Sequence, residues 1–180
     1  NPISFNPFYT DDYKFDVEKK DSIKTLLLTL WKSEDDKVTK TESGELGSAV
    51  SAYIERIKSD RSIVPSFNTF YEYMLGDYRR EMEAREIKVG KEDFNLDNML
   101  TTLRQYYRGG RFDFLLNSEK NIDLLGKSFI VFEIDSIKEN KELFPVVTII
   151  IMDAFIQKMR RLKGVRKQLI VEEAWKALSS

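Results

Sequence analysis

The stretch Lys167-Gln168-Leu169-Ile170-Val171-Glu172-Glu173-Ala174-Trp175-Lys176-Ala177-Leu178 runs from a basic turn through three β-prone aliphatics into two acids and a helix-compatible segment. A short apolar run bounded by polar residues predicts a buried strand of a parallel sheet over 168–173. Acids at the carboxyl end of such a strand lie where open α/β sheets bind their ligands. Two carboxylates there can hold a magnesium ion through water and polarise an attacking water. An acidic first turn of an ordinary helix, favoured by the helix dipole, is the competing reading of Glu172-Glu173.

Working back from that stretch, Phe129-Ile130-Val131-Phe132-Glu133-Ile134-Asp135 predicts a second strand with two acids near its end. Glu133 and Asp135 are candidates for contacting a cofactor, or a solvated strand end or capping turn. Between the two, Val146 to Ile151 is β-branched and suits a strand on propensity alone. Pro145 suits a first helical turn and Gly164 a far end, and no turn signal breaks 153–162, so helix is favoured over 145–163. That helix would be the right-handed crossover of a βαβ unit.

The earlier chain reads as helical. Ile23, Leu26, Leu27, Leu30 and Trp31 fall on one face, and a polar loop covers 33–41. Leu46, Ala49, Val50, Tyr53, Ile54 and Ile57 are in phase on a second helix. Ser66 is a candidate N-cap for a third, lined by Phe67, Phe70, Tyr71, Met74, Leu75 and Tyr78. A fourth begins near Asn95, carries Leu96, Met99, Leu100, Leu103, Tyr106 and Tyr107, and ends at Gly109-Gly110. Ile3-Ser4-Phe5 before Asn6-Pro7-Phe8 predicts the end of a short strand, limited by its prolines to an edge or exit.

Composition removes several chemistries. Among the 180 residues there is no Cys and no His, so catalysis must use carboxylates, hydroxyls, Lys or Arg. Disulfides, thiolate zinc sites and histidine triads are excluded. With 29 basic against 30 acidic residues, no basic stripe marks a duplex-binding protein. No apolar run is long enough to span a bilayer and no signal peptide opens the chain, which predicts a soluble intracellular piece. The chain opens on Asn1 and stops just after a strand-to-helix junction, so it reads as a segment of a larger protein.

Two motifs compete with the acids for a functional role. Gly126-Lys127-Ser128 has the tail of a phosphate-binding loop, but Asn121 stands where the leading glycine is required. The tripeptide also enters a predicted strand where a phosphate loop would open a helix. Tyr106-Tyr107-Arg108-Gly109-Gly110-Arg111-Phe112 interleaves aromatic and basic groups. Such a run either stacks on single-stranded nucleic acid or packs a helix end on its neighbours.

Taken together these stretches resemble the conjugative-transposon TraG family, relatives of the large cytoplasmic ATPase that powers type IV secretion. The likeness is carried by Ile3-Ser4-Phe5-Asn6-Pro7-Phe8, by Tyr107-Arg108-Gly109-Gly110 with Leu115-Leu116-Asn117-Ser118, and by 129–135. It continues in Leu143-Phe144-Pro145-Val146-Val147-Thr148, Lys158-Met159-Arg160-Arg161-Leu162-Lys163-Gly164 and Glu172-Glu173-Ala174-Trp175-Lys176-Ala177. The resemblance implies an α/β fold: a partial RecA-like P-loop core of few parallel strands with a large all-helical insertion. On it, residues 1–15 are a strand end and linker, 16–120 the helical insertion, and 121–180 a βαβ unit ending in Walker B.

By the same resemblance Glu172 is the Walker B acid that holds magnesium through water, and Glu173 orients or activates the hydrolytic water. Other Walker B motifs often place Asp where this chain has Glu172. ATP and magnesium are the cofactors of the intact protein, and none is expected on this segment alone. The family's Walker A loop would lie before Asn1 and any arginine finger beyond Ser180. The implied partners are further copies in a ring and the components of the secretion channel, at the cytoplasmic face of the bacterial inner membrane. Two rivals remain: a non-enzymatic helical interaction domain, and a DNA-translocating motor gripping single strands through Arg108 and Arg111.

Overall fold

A computed structural model describes residues 4–10, 14–33, 35–119, 121, 126–135, 137, 139, 140 and 142–172. Seven α-helices span Val17–Trp31 (α1), Lys40–Ser59 (α2), Phe67–Tyr73 (α3), Arg79–Ala84 (α4), Leu96–Leu103 (α5), Asp113–Leu116 (α6) and Leu143–Arg161 (α7) among these residues. A π-helical turn, Met74–Tyr78, joins α3 to α4, and a 3-10 turn, Arg104–Tyr106, extends α5.

Local chemistry sets the helix starts. Asp16 caps α1 by accepting from the Lys19 amide at 2.7 Å. Thr39 and Glu42 form a reciprocal capping box on α2, and Ser66 and Thr69 form one on α3. Thr39 of the first box lies inside the stretch expected to be loop, so α2 starts within that stretch, at Lys40. Burial opposes ionisation of Glu42, yet Lys32 and the Thr39 amide hold its carboxyl below the usual range. On α7 the amides of Glu142 and Leu143 donate to Asn140 Oδ1, each at 3.0 Å. Pro145 then occupies the first turn, where its missing N–H costs nothing. The β-branched run 146–151 is therefore helix, as favoured.

One apolar core unites the helices. Every residue of the predicted apolar faces of α1 and α2 is buried, with Leu46, Val50, Tyr53, Ile54 and Ile57 showing no exposed surface. Aromatic contacts dominate the centre: Phe8 stacks on Phe70 at 5.1 Å and meets Tyr53 edge-on at 4.9 Å. Tyr71 stacks on Tyr107 at 4.6 Å. Val146, Val147 and Ile150 of α7 belong to the same core, as do Phe5 and Phe15 of the N-terminal segment.

That segment is held by polar bonds as well. The Asn6 side chain, almost wholly buried, donates to the carbonyls of Pro65 at 2.8 Å and Ser118 at 3.1 Å. Asn121 clasps the Asn6 backbone from both sides, accepting from its N–H at 2.7 Å and donating to its carbonyl at 2.9 Å. A glycine at 121 would offer neither bond. At Gly109 the chain takes φ 75°, and a Cβ on Gly110 would lie 2.4 Å from the Gln105 carbonyl oxygen. Glycine is required at both positions, one for its backbone angle and one for the close approach.

The expected α/β architecture is not observed. Among the described residues there is no strand, so the parallel sheet, the βαβ unit and the RecA-like core are all overturned. Residues 129–135 and 168–172 carry the right propensity but have no ladder partner, and a lone strand leaves its N–H and C=O groups to water. Phe129 is 82% exposed and Ile170 72%. Local bonds replace the ladder: Glu133 accepts from the Asp135 amide at 3.0 Å, and the Ile137 amide donates to the Ile134 carbonyl. Ser4 and Phe5 form no strand either, although the Phe5 amide donates to the Leu115 carbonyl at 2.8 Å. Ile3 and Glu173 lie outside the described residues.

The tyrosine-rich core has an alkaline signature. Burial, reinforced by Glu81, pushes Tyr73 up to about 12, and burial with Glu142 nearby does the same for Tyr106. Tyr78 is raised by burial and by its bond to Glu45. Each keeps its proton in the folded chain after the unfolded chain has lost it. Their stabilisation is intact below the ordinary value of 10.0 and declines as pH rises through it toward about 12. Lys19, lowered by burial, runs the other way and gains stability with rising pH below 10.5. Tyr53, Tyr71 and Tyr107 are raised as well, so with six tyrosines against one lysine the urea midpoint is expected to fall between about pH 10 and about pH 12. Tyr73→Phe with Tyr106→Phe should flatten that fall; an unchanged slope would remove these two tyrosines as its cause.

Candidate functional site

The predicted acids flank α7. Glu133 and Asp135 precede it on an exposed turn whose Ile134 and Ile137 pack against the core. Glu172 follows it, exposed, at the end of 165–172. Gly164, at φ 77°, turns the chain out of α7. Lys167 Nζ then folds back onto the carbonyls of Leu162 and, at 2.9 Å, Val165. On the other side, Lys158 Nζ donates to the Lys127 carbonyl, tying the 126–135 segment to α7. Both acid-bearing segments are thus attached to one helix.

Magnesium binds through one or two carboxylates and keeps several waters. Glu172 accepts no hydrogen bond among the described residues, so its carboxylate is open to a water-mediated metal. Glu133 has one oxygen engaged by the Asp135 amide. No cluster of three or more potential metal ligands occurs among the described residues. A phosphate cradle is not supplied by Gly126-Lys127-Ser128, because no helix opens there to present its amides. Among the described residues, then, Glu172 offers one exposed carboxylate, no cluster of metal ligands forms around it, and no cradle for nucleotide phosphates is present.

Around Tyr106–Phe112 the aromatic faces are already used. Tyr106 and Phe112 are buried, their rings 5.6 Å apart, while Tyr107 stacks on Tyr71 and donates to Glu72 at 2.9 Å. Arg108 and Arg111 are exposed, each 3.9 Å from a carboxylate, of Glu72 and Glu142 respectively. The run packs a helix end on its neighbours, with its two guanidinium groups at the surface.

Sequence reasoning missed the most buried ion pair among the described residues. Lys19 on α1 and Asp153 on α7 pair at 3.1 Å, with side chains 8% and 10% exposed. Asp153 also accepts from Ser22 Oγ at 2.7 Å and from Gln157 Nε2 at 2.7 Å. Burial holds the Lys19 ammonium below the ordinary lysine range, against the pull of Asp153. A signal was present: Lys19 lies four residues before Ile23, and Asp153 three after Ile150, each on its helix's apolar phase. A second missed group joins Tyr78, Glu45 and Arg85, with the tyrosine hydroxyl 2.8 Å and the guanidinium 2.7 Å from the Glu45 carboxylate.

No helix among the described residues is long and apolar enough to cross a membrane. In comparison with known proteins, the family model described as TraG P-loop domain matches residues 1–180. No curated protein matches the chain, and no solved structure does.

Proposed function

The chain belongs to the TraG P-loop domain family, a conjugation-related family of P-loop NTPases, and from that premise we propose that it contributes the metal-binding acids of an ATPase driving type IV secretion. The work of the intact protein would be ATP hydrolysis coupled to assembly of the transfer apparatus or to substrate transfer. The single observation that carries this reading is the family match over residues 1–180. The exposed carboxylate of Glu172, which accepts no hydrogen bond among the described residues, is consistent with it.

In this reading Glu172 holds magnesium through water, and Glu173 orients the water that attacks. When bound, magnesium would neutralise charge on the phosphates and fix the nucleotide's position. Glu133 and Asp135 stand as second candidates on the cofactor side. Ring formation by further copies, contacts with channel components and a place at the cytoplasmic face of the inner membrane belong to the same proposal.

The 180 residues alone are expected to lack ATPase activity, because phosphoryl transfer depends on cradling amides and a phosphate-binding lysine that the described residues do not provide. Phosphate release by the purified chain, with and without magnesium, checks this. Magnesium-dependent turnover that disappears in Glu173→Gln would place a complete site within the chain and overturn the expectation. In the intact ATPase, Glu173→Gln should abolish turnover while nucleotide binding persists. Unchanged turnover in that variant would sink the assignment of the acids.

A further inference from the structure

α7 is attached to the rest of the helical body largely through α1, and two kinds of contact hold it there. Val146, Val147 and Ile150 supply an apolar face, which tolerates sliding because one aliphatic replaces another at little cost. The second kind is directional. Asp153 has both oxygens occupied, Oδ1 by Ser22 Oγ and Oδ2 by Lys19 Nζ and Gln157 Nε2. Nearer the end of α7, Arg160 pairs with Glu18 of the first turn of α1 at 2.6 Å. A slip of one helical turn, about 5.4 Å, would leave Asp153 and Lys19 buried without each other.

Burying an ion pair gains little stability over a well-packed apolar pair, whereas separating one is strongly unfavourable. Such a pair discriminates between registers more than it stabilises any one of them. The register it selects matters because α7 carries an acid-bearing segment at either end. Lys158 holds Lys127 ahead of Glu133 and Asp135, and Lys167 holds the turn that leads to Glu172. Moving α7 along α1 would carry the turn that follows it, and Glu172 with it, relative to the helical body.

We infer that Lys19 and Asp153 are positioning residues, keying the register of α7 on α1 and so placing Glu172 for hydrolysis. This rests on the ATPase reading above. Neither residue touches substrate, so their removal should lower turnover while leaving nucleotide affinity alone.

The test uses the intact ATPase and the double variant Lys19→Met with Asp153→Leu, which removes both charges and keeps an apolar pair in their place. With the melting temperature preserved, kcat should fall about tenfold or more at a KM for ATP unchanged within about twofold, the signature of a misplaced catalytic group. Lys19→Arg, which keeps the charge, should retain most of the turnover. If the double variant does not fold, Lys19→Gln, which removes the charge and leaves Asp153 its bonds from Ser22 and Gln157, should show the same split. A folded variant with kcat within about twofold of wild type overturns the inference. A wild-type protein without magnesium-dependent turnover removes the ATPase reading and the inference with it, an outcome distinct from an active enzyme indifferent to the pair.

Discussion

Asp153→Ala should destabilise the fold by about 3–5 kcal/mol, the cost of breaking a buried ion pair from one side. The substitution leaves Lys19 with its ammonium buried, and Ser22 and Gln157 lose the acceptor they share. Lys19 is already held below the ordinary lysine range by desolvation, so without Asp153 it should be easier still to deprotonate. Urea unfolding at neutral pH measures the loss. It should shrink in Asp153→Ala as pH rises, because a neutral lysine no longer needs a counter-charge. A loss of about 0–1 kcal/mol, the range of surface pairs, would mean that water reaches the pair and that α7 is not keyed as described.

Phe70→Ala should cost a similar amount, about 3–5 kcal/mol, because the ring is fully enclosed and the helices around it cannot collapse into the gap. Phe70 is 1% exposed, stacked on Phe8 and edge-on to Tyr53 at 5.4 Å. The informative comparison is Phe129→Ala, at a residue of the same type in a segment of high β-propensity. With Phe129 82% exposed, that change should stay within about 0.5 kcal/mol. The same holds for Ile170→Ala. If Phe129→Ala instead cost as much as Phe70→Ala, the side chain would have to be buried, and the exposed conformation of 126–135 would be wrong.

The contrast between these two phenylalanines measures how much of the architecture was legible. For Phe70 the signal was local: apolar residues at helical spacing after a Ser66 cap define a face, and all of that face but Leu75 is buried. For Phe129 the signal was equally strong and pointed to a strand. An α-helix satisfies its own backbone within each turn, so 3.6-residue periodicity with a cap suffices to specify it. A strand does not satisfy its own backbone. It needs a neighbour elsewhere in the chain, and no short pattern says whether that neighbour is there.

The site was legible in the same uneven way. Glu172, Glu133 and Asp135 could be singled out because acids closing an apolar run are conspicuous, and the family likeness in the same stretches agreed with the match over residues 1–180. Lys19 and Asp153 are as well placed on their apolar phases, but their meaning depends on a partner 134 residues away. In the sequence Asn121 stands only as the absence of a phosphate-loop glycine; in the structure its amide is a clasp on Asn6. By itself the sequence determined the apolar faces of α1 and α2, the Ser66 cap, the helical state of α7 and the family, since all of these rest on neighbours within a few residues or on motifs. Only the tertiary structure decided that 129–135 and 168–172 stand without a ladder, that the N-terminal segment joins the helical core, and that one buried ion pair registers α7. Each depends on which distant groups meet, and a buried charge or an unpaired amide is settled only by its partner.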